Sequence, residues 1–136
     1  MEEFEGVNLY NCLCSNVDGD LPFFVSSAGA DSSTIIPDKY TNSVVKKSVT
    51  IKSIIKELSL THIDFIKLEA EGAEPEVLEG ASEVTMLINK IAIDVSPERN
   101  GQTPSIQVKR ILDNWGFIYT QVGDMIYARN PNFIFK

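Results

Sequence analysis

Between Asp64 and Ala81 the sequence runs Asp-Phe-Ile-Lys-Leu-Glu-Ala-Glu-Gly-Ala-Glu-Pro-Glu-Val-Leu-Glu-Gly-Ala, and this stretch constrains the fold more than any other. Ile63 to Leu68 is a compact apolar run interrupted only by Asp64 and Lys67, which reads as a buried strand. Gly72 breaks the run, and Pro75 stands where a first helical turn tolerates proline. Behind it Val77, Leu78, Ala81 and Val84 or Thr85 form one apolar face. The chain is therefore expected to contain a strand that passes through a glycine directly into a helix.

The flanking sequence repeats that alternation. Val7 to Cys14 alternates as a strand, Asp18-Gly19 signals a hairpin turn, and Leu21 to Ser26 returns as a second strand, with Pro22 placing it at an edge. The segment from Ser26 to Asn42 is rich in Ser, Asp, Gly, Ala and Thr and reads as a long loop. Val44 to Val49 is a short strand, after which Thr50 caps a helix with Ile51, Ile54, Ile55 and Leu58 on one face. Beyond the central stretch, Lys90 to Val95 is another buried strand. Thr103 caps a helix that starts at Pro104, is lined by Val108, Ile111, Leu112 and Trp115, and ends at Gly116. Phe117 to Val122 and Met125 to Ala128 close the chain as a hairpin around Gly123-Asp124. This order predicts an α/β fold in one domain over residues 1–136, with a mostly parallel sheet and an antiparallel C-terminal hairpin.

Bulk properties remove several function classes. With 136 residues, 43% hydrophobic and 23% charged, the chain can bury a core. The net charge of −7 opposes binding to a nucleic-acid backbone, which needs clustered cations. No stretch is long and apolar enough to span a bilayer, and the acidic start Met-Glu-Glu-Phe-Glu is unlike a secretory signal, so the expectation is a cytoplasmic protein with no membrane partner. Cys12 and Cys14, with His62 as the only histidine, are too few for a zinc site and read as reduced, partly buried thiols. His62 precedes its strand, at the end away from any cleft, and reads as a surface or turn residue.

The candidate chemistry lies at the carboxyl end of the Ile63–Leu68 strand, where open α/β sheets bind ligands. Glu69 and Glu71 are two apart, so extended backbone would turn both to one side. Such a pair could hold a divalent cation or take a proton from a substrate hydroxyl. The competing reading is that the acids, with Glu74, favour the start of a helix and solvate a loop.

The same stretch resembles the signature of the FkbM methyltransferase family, a strand of type Asp-(apolar)₂-Lys-Ile-Asp-Val-Glu-Gly followed by Ala-Glu-x-x-Val-Leu-x-Gly-Ala. Asp64, Lys67, Glu71, Gly72, Ala73, Glu74, Val77, Leu78, Gly80 and Ala81 fall on matching positions. Glu69 replaces the family's usual aspartate, keeping the charge on an arm one methylene longer. The likeness extends outward through Asn8 to Val25, Val44 to Leu58, Lys90 to Asp94 and Trp115-Gly116-Phe117, with Lys52 where an acid is usual.

The resemblance implies a partial Rossmann-like methyltransferase fold that uses S-adenosylmethionine, with O-methylation of a small molecule or sugar. It puts Glu69, Glu71 and Asp94 in the catalytic cleft, Glu74 and Glu98 toward the acceptor, and Cys14, Ser15 and Asn16 near the cofactor's adenine; it implies no metal ligand. Two family features are missing. No Asp-x-Gly-Ala-Asn turn joins a buried strand to a helix, and no second strand ends in a ribose-binding acid. Asp18-Gly-Asp lies in a hairpin turn, and Ala28-Gly-Ala-Asp31 in a loop. The chain thus resembles the C-terminal part of the domain. Ile63–Leu68 is then short of a neighbour, which a second chain could supply, and a non-catalytic module acting in a complex is the alternative.

Overall fold

The computed structural model describes residues 5–25, 33–35 and 42–135. Seven strands and three α-helices alternate along the described residues: β1 (Leu13–Cys14), β2 (Gly19–Val25), β3 (Asn42–Val49), α1 (Ile51–Glu57), β4 (Ile63–Leu68), α2 (Glu74–Glu79), β5 (Ile88–Asp94), α3 (Ser105–Trp115), β6 (Ile118–Val122) and β7 (Met125–Arg129). A short 3₁₀ turn, Thr85–Leu87, leads into β5. No helix among the described residues is long and apolar enough to cross a membrane.

The strands form two sheets rather than one mostly parallel sheet: β1-β3-β2 and β4-β5-β7-β6. Only β1–β3 and β4–β5 are parallel, whereas β2–β3, β5–β7 and β6–β7 are antiparallel. The cause is local. Asn42–Val49 is longer than the expected Val44–Val49 and pairs along the whole of β2, from Gly19↔Ser48 to Val25↔Asn42. At the other end, the closing hairpin lies directly against β5. Most pairing energy is thus satisfied by antiparallel neighbours, and each sheet keeps a single parallel pair.

Two smaller expectations also fail. The strand expected over Val7–Cys14 is paired only at Leu13–Cys14, and Val7 and Leu9 are exposed. Asp18-Gly19 does not make a hairpin between β1 and β2, because β3 lies between them. Asp18 is used instead at the start of α1, where its carboxylate accepts from Thr50 N at 2.9 Å and Ser53 Oγ at 2.8 Å. Most of the expected Ser26–Asn42 loop is outside the described residues; within it Ser33 bridges to Phe24.

Helix boundaries follow the sequence closely. Thr50 caps α1 by accepting from Ser53 N, and Ile51 and Ile55 turn inward. Gly116 ends α3 in the left-handed conformation, with φ of 74°. Pro104 is the N-cap of α3 rather than its first residue, and Thr103 Oγ1 still accepts from Ser105 N at 3.2 Å.

One core joins all three helices to one face of the four-stranded sheet. Ile51, Ile55, Val77, Leu78, Val108 and Leu112 pack with Leu68, Ile91, Ile93, Ile126 and Ala128. The register puts Phe65, Lys67, Lys90, Ala92, Tyr127, Arg129 and Ile118 on the opposite face. Phe65 (57%), Tyr127 (51%) and Ile118 (50%) are exposed there. Among the described residues β4 is an edge strand, not the buried strand its apolar run suggests: it pairs with β5 on one side only, and Leu68 alone of its residues is buried.

Candidate functional site

The carboxyl ends of β4 and β5 lie side by side because the two strands are parallel, with Leu68 opposite Ile93. The segments that leave them enclose a small cavity lined by Glu69, Glu71, Glu74, Asp94, Ser96 and Glu98. A larger cleft of about 390 Å³, partly open to solvent, adjoins it between β1 and β4 and shares Glu69 and Glu71. Leu13, Phe23, Leu68 and Val77 form its apolar wall, and Cys12, Cys14, Ser33 and Thr34 add polar atoms.

The path from strand to helix is tightly bent. β4 ends at Leu68, and Glu71 and Gly72 take φ of 49° and 98°. Glu69 and Glu71 therefore do not share a side through extended backbone, as their spacing suggests. They reach one cavity because the chain turns left-handed between them and α2. A side chain at residue 72 would meet the backbone of Arg99 at 3.1 Å, so the close approach of two loops requires the glycine.

Glu74 holds this turn together. It is the first residue of α2 and only 3% exposed. Its Oε1 accepts from Ala70 N at 2.8 Å and Gly72 N at 3.3 Å, while Oε2 is buried and accepts no hydrogen bond. Burial pushes the Glu74 carboxyl above the usual glutamate range, and Asp94 adds to the rise; the Ala70 and Gly72 N–H donors oppose it. The helix-start reading of Glu74 thus holds, and one oxygen is left over.

Asp94 leaves β5 and accepts from Ser96 N at 2.8 Å and from the Ser96 hydroxyl. Glu69 is more exposed and is paired with Lys67 at 2.6 Å. Glu98 lies on the outer rim, exposed.

Two residues that the sequence reading passed over complete the site. Ser96 fixes Asp94. Arg99 makes a two-pronged ion pair with Glu76, at 2.7 and 2.8 Å, and donates to Gly72 O at 2.9 Å. It pins the loop after β5 to the turn before α2, and Glu76 holds its guanidinium more firmly protonated than usual. An arginine two residues after a proline in a polar loop gives no signal in a single sequence.

Of the three residues expected near a cofactor, only Cys14 lines the larger cleft. Burial, chiefly, raises its thiol to about 11, so it stays protonated and is a poor nucleophile. Ser15 is buried and its N–H donates to Val49 O at 3.0 Å, and Asn16 donates to Glu79 at 2.9 Å across to α2. Ser15 thus extends the pairing of β1 with β3, and Asn16 ties the segment after β1 to the end of α2. His62 lies at the amino end of β4, away from both cavities, stacked 5.2 Å from Phe135 with Phe133 edge-on at 5.8 Å. Both cysteines are free.

The fit to S-adenosylmethionine is incomplete. The glycine-bearing turn between β4 and α2 does not lie open to a ligand, because the Glu74 carboxylate occupies the Ala70 and Gly72 amides and Arg99 covers Gly72. Among the described residues no other strand passes through a glycine-rich turn into a helix. The cavities supply carboxylates and an apolar wall.

The family model described as the methyltransferase FkbM domain matches residues 7–126. No curated protein and no solved structure matches the chain.

Proposed function

Because the chain belongs to the methyltransferase FkbM domain family, we propose that it contributes, as one domain, the acceptor side of an S-adenosylmethionine-dependent methyltransfer to a hydroxyl oxygen of a small molecule or sugar. The observation that carries this reading is the convergence of Glu69, Glu71, Glu74, Asp94 and Glu98 on one cavity at the carboxyl ends of two parallel strands. S-adenosylmethionine supplies an activated methyl group when bound. The chain's own residues then have two tasks. They orient the acceptor oxygen through hydrogen bonds to carboxylates, and they offer Glu71 or Asp94 as a sink for its proton. Much of the rate of a direct methyl transfer comes from alignment, so the orienting role is the greater.

The donor side requires a further strand and glycine-rich turn. The free edge of β4 is the place for that strand, and a second chain is its proposed source. Titration calorimetry of the chain with S-adenosylmethionine is expected to give no saturable heat, and to give it once a family-type strand–turn–helix segment is added. Absence of heat with the added segment would favour the second reading, a non-catalytic module. The commitment of Ser15 and Asn16 to Val49 and Glu79 supports that alternative.

A further inference from the structure

The helices pack on one face of the four-stranded sheet, and among the described residues the other face is open to solvent. Across β4, β5, β7 and β6 the strand register arranges that open face in rows. One row reads Phe65, Lys90, Arg129 and Ile118, and the next reads Lys67, Ala92, Tyr127 and Thr120. Val122, on the same side of β6, is 64% exposed. Ala92 is a small residue at 3% exposure, and it forms a low floor between larger neighbours. Beside it runs an open groove of about 260 Å³, walled by Lys90, Ile118, Tyr127 and Arg129.

The charges here run against those of the whole chain. Lys90 stands directly opposite Arg129, both are exposed, and neither has an ion-pair partner among the described residues. Like charges directly opposite on neighbouring strands repel, and an anion placed over them relieves the repulsion. Lys67 adds a third cation, paired with Glu69. The one acid whose strand position falls on this face, Asp94, lies at its carboxyl end and accepts from Ser96. The face is therefore apolar and cationic on a chain of net charge −7.

From this we infer that the open sheet face docks an amphipathic helix of another protein, whose apolar stripe is flanked by glutamates or aspartates. A sheet is completed by a second layer over its apolar face, and a helix stripe is a common cover. Four strands about 4.8 Å apart make a bed roughly 14 Å wide, which takes one helix about 10 Å across. The stripe rests on Phe65, Ala92, Tyr127 and Ile118, with one of its side chains in the groove. The stems of Lys90 and Arg129 lie beneath, and their charged heads reach the acidic flanks. Net charge beyond a Debye length of about 8 Å is screened at physiological salt, so these local cations decide the contact.

Other occupants fit less well. A second copy meeting face to face sets Lys90 and Arg129 against their equivalents, which leaves only weak association at high concentration. A bilayer surface presents no side chain to fill the groove. The docking does not rest on the methyltransferase reading, and its readouts involve no methyl transfer, so either can fail without the other.

The test is an amide-resonance titration of the chain with two synthetic helical peptides of about 18 residues, roughly 27 Å long. Both carry leucines at helical spacing on an alanine background; one has glutamates flanking the stripe and the other lysines. Saturable shifts at Phe65, Lys90, Ala92, Tyr127 and Arg129 are expected with the glutamate peptide, and at least about tenfold weaker affinity for the lysine peptide. Lys90→Glu combined with Arg129→Glu should reverse that preference. If the double variant does not fold, the preference of the wild type decides the matter. No saturable shift with the glutamate peptide, equal affinity for both peptides, or shifts confined to residues off this face would overturn the proposal. So would a dimer in sedimentation, or binding to phosphatidylserine vesicles, that persists at saturating glutamate peptide and is lost in Phe65→Lys.

Discussion

Glu74 shows how one side chain can serve both folding and a site. One carboxylate oxygen satisfies two backbone donors of a left-handed turn, and the other is buried without a hydrogen-bond partner in a residue that lines the cavity. Because burial raises its folded-state pKa above the ordinary 4.5, the folded chain binds this proton more tightly than the unfolded chain does. The group's contribution to stability is therefore greatest at low pH and declines as pH rises from 4.5 through the raised value. Denaturant unfolding across that window should show this decline in the wild type relative to Glu74→Gln, which has no proton to lose. Glu74→Ala should cost about 1–3 kcal/mol at pH 4.5, because the Ala70 and Gly72 amides lose their acceptor, and that cost should shrink as pH rises through the same window. A wild-type-minus-Gln difference that rises with pH would contradict the burial argument.

At the scale of elements, the packing of β1 over the end of α2 depends on Gly80. A methyl there would sit 2.3 Å from Ser15 O, a backbone atom that cannot swing aside. Alanine favours helices over glycine by about 1 kcal/mol, yet the clash should win, and Gly80→Ala is expected to destabilise by about 1–3 kcal/mol in a thermal melt. Gly116→Ala meets no atom within 4 Å but holds φ of 74°, so its expected cost is the milder strain of about 1–2 kcal/mol. The sequence makes some of these elements legible and hides others. Thr50, Pro75 and Gly116 mark helix ends through local chemistry, and the positions of α1, α2 and α3 follow from them. Strand neighbours are different, because a period of two says that a segment is extended but not what lies beside it. Nothing in Val44 to Val49 tells that β3 separates β1 from β2, and nothing in Ile63 to Leu68 tells that one side is unpaired. The acids of the site were visible as acids near a strand end. Their convergence depends on the φ of Glu71 and on the Arg99 tether, which are tertiary facts.

Across the whole molecule, the three helices lie against one sheet face and leave the other with Phe65, Tyr127 and Ile118 amid Lys67, Lys90 and Arg129. Among the described residues the adjoining edge of β4 is unpaired, a combination that promotes association between chains. Phe65→Lys should reduce self-association in sedimentation or light scattering at high concentration. As an exposed substitution it should shift unfolding stability by no more than about 0.5 kcal/mol. Unchanged association would mean that this face is not the contact surface. The stack of His62 on Phe135 joins the start of β4 to the C-terminal tail. His62 is the chain's only histidine, so its imidazole carbon protons give isolated magnetic resonances. Lying 5.2 Å from a nearly parallel benzene ring, they should be displaced upfield by its circulating π electrons, and truncation before Phe133 should return them to the frequencies of a free imidazole. The molecule thus has a built-in spectroscopic gauge of whether its tail is docked.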